Sequence, residues 1–175
     1  MRPEEFIQYW SERNISTSES RLAARYLKAI EELKAIQSEL FGYIKPQKTS
    51  KGLIAVFAPE AEQLMSHFEA AEKNLVTVSK DIEAFLALTN GEPTLDGLAK
   101  EKHRLAKILD NAKHGVEAAT LRSVRRGAKS KLEAELTKEV QNELAKQDRI
   151  TDEYGPKLKD IENKIVKARE ILATY

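Results

Sequence analysis

The chain has 175 residues, of which 41% are hydrophobic and 33% are charged, and its formal net charge is +1. This composition excludes a disordered chain, which would be less apolar, and a membrane-embedded chain, which would carry fewer charges. With 7 glycines and 5 prolines, the chain has too few turn residues for a many-stranded sandwich or barrel. Length and composition therefore predict one helical domain spanning residues 1–175.

The first third of the chain predicts two helices. Residues 3–13 form a short helix opened by Pro3, and its aromatic side chains dock on the domain as a lid. Ser16 and Glu19 have the spacing of a capping box, so we expect a second helix over residues 17–43. The apolar residues of this helix alternate in heptad steps of four and three: Leu22, Tyr26, Ala29, Leu33, Ile36, Leu40 and Tyr43.

The segment after the second helix combines turn residues, lysines and a short apolar run. Gly42, Pro46 and Gly52 interrupt the helical pattern. Three lysines lie between these residues: Lys45, Lys48 and Lys51. The run Leu53 to Ala58 follows, and it is far shorter than the roughly 20 residues of a membrane-spanning helix. It favours a plug that closes one end of a helical bundle. The alternative is a loop that inserts into a membrane interface or a partner groove.

Three further helices are expected over residues 59–89, 94–153 and 156–174. The first of them has an apolar seam with steps of four and three: Leu64, Phe68, Ala71, Leu75, Val78, Ile82 and Phe85. The middle one has an apolar seam on one face: Leu98, Leu105, Ile108 or Leu109, Ala112, Val116 and Ala119. Glycine in a helix interior costs roughly 1 kcal/mol, so Gly115 and Gly127 are alternative breakpoints. The pair Gly155-Pro156 indicates a kink or a very tight turn.

Together these elements predict an all-α fold of three to four long amphipathic helices. A break at Gly115 or Gly127 would give a compact antiparallel helical bundle, whereas an uninterrupted helix would give an elongated coiled coil. The first residues, Met1 to Glu5, lack the basic and apolar regions of a secretion signal. We therefore expect a cytoplasmic protein.

No residue pattern in the chain indicates an enzyme. The sequence has no cysteine, which excludes disulfides, thiolate nucleophiles and cysteine-ligated metal sites. Its three histidines fall in no metal-binding motif, and glycine-rich phosphate loops and serine elbows are absent from the sequence. We expect no catalytic residue, no metal, no cofactor and no small-molecule substrate.

The one feature that stands out is a strongly basic segment. Residues 98–131 hold ten Lys and Arg against three Asp and Glu, a net charge of +7, while the rest of the chain is acidic. Arg122, Arg125, Arg126 and Lys129 have the spacing i, i+3, i+4, i+7, which places them on one face of a helix. With Lys113 and Lys107 they are the candidate contacts to an anion.

Two interpretations of this basic face remain open. It could bind nucleic-acid phosphates or acidic lipid headgroups. Alternatively, acidic residues of neighbouring helices or of a second subunit neutralise it, and this interpretation is favoured. The predicted function is therefore a non-enzymatic scaffold or adaptor that binds protein partners through helical faces, including a copy of itself, as a homo-oligomer. The alternative is an anionic-surface binder that uses the helix over residues 98–131.

Overall fold

A computed structural model describes residues 1–127 and 137–175. Most of these residues are helical. The helices are α1 (Pro3–Ser11), α2 (Ser18–Phe41), α3 (Glu62–Leu88), α4 (Asp96–Arg125) and α5 (Lys138–Ala173), and a short 3-10 helix (Pro59–Ala61) precedes α3. Two strands, β1 (Ile44–Thr49) and β2 (Gly52–Phe57), lie between α2 and α3. The predicted helical bundle is confirmed in outline, but the pure all-α class of three to four long helices is wrong.

The described residues divide into two compact units. The first contains Met1–Pro93 and Ala168–Tyr175, and the second contains Thr94–Lys167. The long helix α5 therefore contributes residues to both units.

In the first unit, α2 and α3 pack side by side and antiparallel. Arg25, near the start of α2, donates a hydrogen bond of 3.3 Å to Asn74 in the middle of α3. At the other end of the pair, Leu40 in the last turn of α2 and Met65 in the first turns of α3 line one groove. The predicted heptad seams face inward, because their members are buried or half-buried on both helices. The pairing of these two helices is thus encoded by their apolar periodicity.

The short helix α1 closes the other end of this pair, as predicted. Phe6 is fully buried, and its ring lies 5.8 Å from that of Phe85 in α3. Trp10, one turn later, is also buried and meets Phe6 edge-on at 6.4 Å. Rings in such tilted contacts add to the stabilisation that their buried area supplies.

The start of α2 differs from the predicted capping box by one residue. Thr17, not Ser16, is the N-cap, and its hydroxyl accepts a hydrogen bond of 3.1 Å from the backbone N–H of Ser20. The Thr17 backbone N–H in turn donates to the Ser20 hydroxyl at 2.9 Å. A serine hydroxyl therefore takes the role that the sequence assigns to Glu19, because both oxygens can satisfy an orphan N–H of the first turn.

The strands β1 and β2 form an antiparallel hairpin that the sequence did not predict. Its register pairs Ile44 with Phe57 and Thr49 with Gly52, so Ser50 and Lys51 form the turn. Gly52 has a φ of +122°, a conformation that residues with a side chain rarely adopt. The lysine-containing segment after α2 and the apolar run that follows it thus form the two strands of one hairpin.

In the second unit, α4 and α5 run antiparallel. Lys102 near the start of α4 forms an ion pair of 3.0 Å with Glu162, whereas Arg122 near its end contacts Glu139 at the start of α5. Four residues of α4 are buried at intervals of seven: Leu98, Leu105, Ala112 and Ala119. These residues belong to the predicted seam, and their period of seven is that of coiled-coil packing.

Two of the predicted helix boundaries in this part of the chain are wrong. Residues 94–153 do not form one helix, because α4 ends at Arg125 and Gly127 has a φ of +111°. Gly115, the other suspected breakpoint, lies inside α4. Conversely, α5 continues through Gly155 and Pro156, where a kink or a tight turn was expected to separate two helices. Proline costs a helix about 3 kcal/mol, so the packing of the buried residues that follow must outweigh that cost.

Substitution of Gly127 by alanine tests the end of α4. A β-carbon at a φ of +111° is strained, so we expect Gly127→Ala to lower the free energy of unfolding by about 1 to 2 kcal/mol. The control is Gly97→Ala in the first turn of α4, whose Gly97 is exposed and has no positive φ. Alanine there should stabilise by up to about 1 kcal/mol. Urea denaturation measures both, and stabilisation by Gly127→Ala would contradict the left-handed conformation.

A second prediction concerns Tyr175 in the first unit, whose hydroxyl donates a hydrogen bond of 2.5 Å to the carboxylate of Asp81 in α3. Burial, together with this hydrogen bond, raises the pKa of Tyr175 to about 12. The unfolded chain loses this proton near pH 10, so stability from the neutral hydroxyl is present below pH 10 and is lost as the pH rises towards 12.

We expect Tyr175→Phe to lower the free energy of unfolding by about 1 kcal/mol at pH 7, because the hydrogen bond is only partly buried. Between pH 10 and pH 12 the difference between the variant and the parent should vanish. Denaturation at several pH values measures this difference. If the difference in unfolding free energy between variant and parent stays constant up to pH 12, the pKa of Tyr175 is not raised in the folded protein.

Candidate functional site

The basic residues at the end of α4 are brought to one acidic partner. Arg122 Nε lies 2.8 Å from one carboxylate oxygen of Glu139, and a guanidinium nitrogen of Arg126 lies 2.9 Å from the other. Glu139 is in the first turn of α5, and Arg122 is in the last turn of α4. Each charge therefore has the sign that the dipole of its own helix favours.

This contact changes the electrostatics of the basic face. The hydrogen bond from Arg122 holds the pKa of Glu139 below its usual value, and the charges of both arginines act in the same direction. Glu139 thus stays ionised and offsets part of the positive charge of Arg122 and Arg126. This arrangement agrees with the interpretation in which a neighbouring helix neutralises the basic face.

The other anion-contact candidates have different surroundings. Arg125, Lys113 and Lys107 are exposed and form no ion pair with another described residue. Lys129 lies outside the described residues. Arg122 and Arg125 both lie in the last turn of α4, which ends at Arg125. The structure therefore brings together two of the six predicted contacts on Glu139 and leaves three exposed along α4.

A second surface, at the hairpin end of the first unit, is apolar and exposed. Leu53 is 75% exposed, Phe41 63%, and Ile54, Phe57 and Met65 are each more than 40% exposed. We call these five residues the hairpin surface. The plug interpretation of the run Leu53 to Ala58 is therefore wrong for most of its residues, although Ala58 is buried. Leu53 and Ile54 lie on opposite faces of β2, while Phe41, Phe57 and Met65 line one groove. Clustered exposed apolar side chains mark a place where a protein meets a partner.

An open groove of about 380 Å³ lies at the base of this surface. Its walls come from the end of α2, the end of β2 and the first turns of α3. The apolar lining consists of Leu40, Phe41, Phe57, Met65 and Phe68, and Gln37, Glu69 and Glu72 supply polar groups. An apolar groove with a few polar groups at its edge has the chemistry of a binding site for a side chain of another molecule.

The hairpin itself is positively charged at its turn. Lys48 and Lys51 lie at or beside the turn, Lys45 lies in β1, and all three are exposed. Between Tyr43 and Ala58 the sequence contains no acidic residue. Positive charge in the hairpin is therefore confined to β1 and the turn, whereas β2 is apolar.

A sequence signal for this hairpin existed but was weak. Residues 53–57 are β-branched or apolar, and Gly52 precedes them after a polar stretch, which is typical of a strand that follows a turn. The scarcity of glycine and proline favoured helices everywhere, and a run of five residues does not distinguish a buried helix turn from a strand.

The described residues contain no group of three or more His, Asp and Glu side chains that could hold a metal ion. In residues 1–127 and 137–175, no helix is long and apolar enough to cross a membrane. Comparison of the chain with protein-family models, curated proteins and solved structures finds no match. The two surfaces, one basic and one apolar, are therefore the features from which function is inferred.

Substitution of Glu139 tests whether it masks the basic face. Glu139→Gln keeps the shape but removes the charge that offsets Arg122 and Arg126, so binding to a duplex DNA fragment, used as a polyanion probe, should strengthen. The slope of log affinity against log salt should steepen by about 0.9 for each arginine that gains a phosphate contact.

The matched control is Glu4→Gln in α1, which changes the net charge equally at an exposed residue without an ion pair to another described residue. Fluorescence anisotropy over a salt series measures both variants. Equal slopes for Glu139→Gln and Glu4→Gln would contradict masking by Glu139.

Proposed function

We propose that this protein is a non-enzymatic scaffold or adaptor that binds protein partners, including a second copy of itself, through exposed apolar surface. The observation that carries the proposal is the hairpin surface: its five large apolar side chains are exposed, and three of them, Phe41, Phe57 and Met65, line an apolar groove. Exposing them to water is unfavourable by an amount roughly proportional to their area, so a partner that covers them gains that free energy.

The polar groups around this surface support a protein partner in particular. Gln37, Glu69 and Glu72 at the groove and the lysines of the hairpin surround the apolar centre with hydrogen-bonding and charged groups. Interfaces between proteins have this arrangement of an apolar core and a polar rim. Exposed apolar side chains also occur away from this surface, at Leu121 and Val124 on α4.

A second function, binding to an anionic surface, is favoured by one observation. Arg125, Lys113 and Lys107 are exposed on α4 and have no acidic partner among the described residues. Exposed cations on one helix attract phosphate groups at low salt. The pairing of Arg122 and Arg126 with Glu139 makes this function the weaker candidate, because it offsets two of the predicted contacts.

Self-association and its dependence on salt test the proposal. Sedimentation equilibrium should show a dimer or larger oligomer whose dissociation constant changes little between about 0.1 M and about 1 M salt, because apolar contacts are not screened. Leu53→Ser should weaken association about tenfold, which corresponds to about 1.4 kcal/mol of lost apolar burial.

The matched control is Leu121→Ser on α4, since Leu121 is 61% exposed and undergoes the same change of side chain. It should leave association unchanged. If Leu121→Ser weakened association and Leu53→Ser did not, the interface would lie on α4 and not on the hairpin surface. A protein that stays monomeric at all concentrations would contradict self-association.

A further inference from the structure

The hydrogen-bond register of the hairpin determines which backbone groups point away from it. Just beyond the strands, the N–H of Ala58 donates to the carbonyl of Tyr43 at 2.9 Å, which continues the register of the ladder. In an antiparallel pair, hydrogen-bonded and non-hydrogen-bonded positions alternate. Residues 45, 47 and 49 of β1 therefore bond to residues 56, 54 and 52 of β2. The backbone groups of the residues between them point outward.

The outward edge of β1 is closed to a further strand. Its outward-pointing residues are Ile44, Pro46 and Lys48. Pro46, in the middle, has no N–H to donate, and Lys48 beside it carries a charge. Proline and lysine are the residues that natural proteins use to prevent pairing at a sheet edge.

The outward edge of β2 is open. Leu53, Ala55 and Phe57 each point an N–H and a carbonyl outward, and no other strand in the described part of the chain pairs with this edge. The segment Gly52–Phe57 contains no proline and no charged residue. A short, uncharged, β-prone segment at an exposed edge pairs readily with another strand.

We propose that β2 pairs antiparallel with β2 of a second copy of this chain, around a two-fold axis at Ala55. This inference rests on the proposed function and specifies its interface. The outward groups of Ala55 bond to those of Ala55 of the second copy, and those of Leu53 bond to Phe57 of the second copy. The two hairpins then form one four-stranded sheet in the order β1, β2, β2, β1.

The side chains of this register are complementary. Residues directly opposite share one face of the sheet, so Leu53 packs beside Phe57 of the second copy and Ile54 beside Val56 of the second copy. The small Ala55 lies at the axis, where the two copies meet. Isologous pairing of this kind gives a closed dimer, in which the same surface serves on both subunits.

Charge also favours this register. Residues opposite one another across the four strands form rows. One row contains Lys48 and Leu53, followed by Phe57 and Ile44 of the second copy. Another contains Lys45 and Val56, followed by Ile54 and Gln47 of the second copy. Each of these rows contains one lysine, so no two lysines are opposed. The uncharged strands occupy the centre of the sheet, and the basic strands occupy its margins.

The position of the lysines argues against a membrane as the partner. A hairpin that enters a bilayer by its tip places apolar residues there, but this tip holds Lys48, Ser50 and Lys51. The apolar residues extend instead along β2 to Phe57 at the base, next to Phe41 and the groove. That distribution suits a neighbour that runs along the strand.

The absence of cysteine from the sequence permits a direct test of the axis by disulfide cross-linking. In the proposed register, the α-carbons of the two Ala55 residues lie about 5.5 Å apart, within the range of a disulfide. Ser50 lies in the turn, outside the proposed interface, and the α-carbons of the two Ser50 residues lie about 30 Å apart, beyond that range. Under mild oxidation, Ala55→Cys should form about tenfold more cross-linked dimer than Ser50→Cys on non-reducing gels.

A pair of substitutions at the same residue tests the backbone contribution. Ala55→Pro removes one outward N–H, while the β1–β2 ladder does not use this group. It should weaken dimerisation about tenfold or more with an unchanged circular dichroism spectrum. Ala55→Ser keeps the N–H and should dimerise like the parent. Equal dimerisation of Ala55→Pro and the parent would overturn strand pairing.

The outcomes separate this inference from the proposed function. If Leu53→Ser weakens association but Ala55→Cys cross-links no better than Ser50→Cys, the hairpin surface is the interface and strand pairing is wrong. If neither substitution has its effect, strand pairing is wrong and the hairpin surface is not the interface of self-association. Sedimentation with vesicles of acidic phospholipid completes the test, since binding that Leu53→Ser abolishes, with no cross-link at Ala55, would identify a membrane as the partner.

Discussion

The antiparallel packing of α2 against α3 is the constraint on which the first unit depends. A loop of about 2 to 5 residues is enough to connect two such helices. Here the connection is much longer, because the chain runs from Gly42 to Ala61 before α3 begins. The backbone of this surplus must still find hydrogen-bond partners, and it finds them in itself by folding into a hairpin. The apolar seams of α2 and α3 already face each other, so these buried residues are not available to cover the hairpin. The exposure of Leu53, Ile54 and Phe57 follows from that geometry.

In the second unit the corresponding interaction is electrostatic as well as apolar. The heptad of α4 supplies the buried contacts, and Lys102–Glu162 and Arg122–Glu139 join α4 to α5 towards its two ends. Exposed ion pairs of this kind contribute little to stability. Their effect is on the surface, because they leave α4 less positive than its sequence indicates. Exposed charge, and not the charge counted along the sequence, is what an anionic partner would meet.

The success of sequence reasoning varied with the length of the pattern. The seams of α2, α3 and α4 extend over several heptads, and the buried residues Leu22, Val78 and Leu105 belong to them. Predictions from short or single-residue signals were wrong in two places. The capping box lies at Thr17, one residue from the predicted one, and α5 continues through Pro156. A local preference is worth a few kcal/mol at most, and tertiary packing of a long helix can outweigh it. The strand β2 was missed because five apolar residues carry no period that separates a strand from a helix turn.

The sequence by itself determined that the chain forms amphipathic helices. It also determined the residues of α2, α3 and α4 that face inward and the segment in which positive charge is concentrated. These properties depend on local periodicity and composition, which a single chain displays directly. Only the tertiary structure decided that α4 ends at Arg125, that Glu139 reaches Arg122 and Arg126, and that the apolar run lies exposed on a hairpin. Those outcomes depend on which residues distant in sequence become neighbours in space, and the free energy of such contacts exists only once the helices have packed.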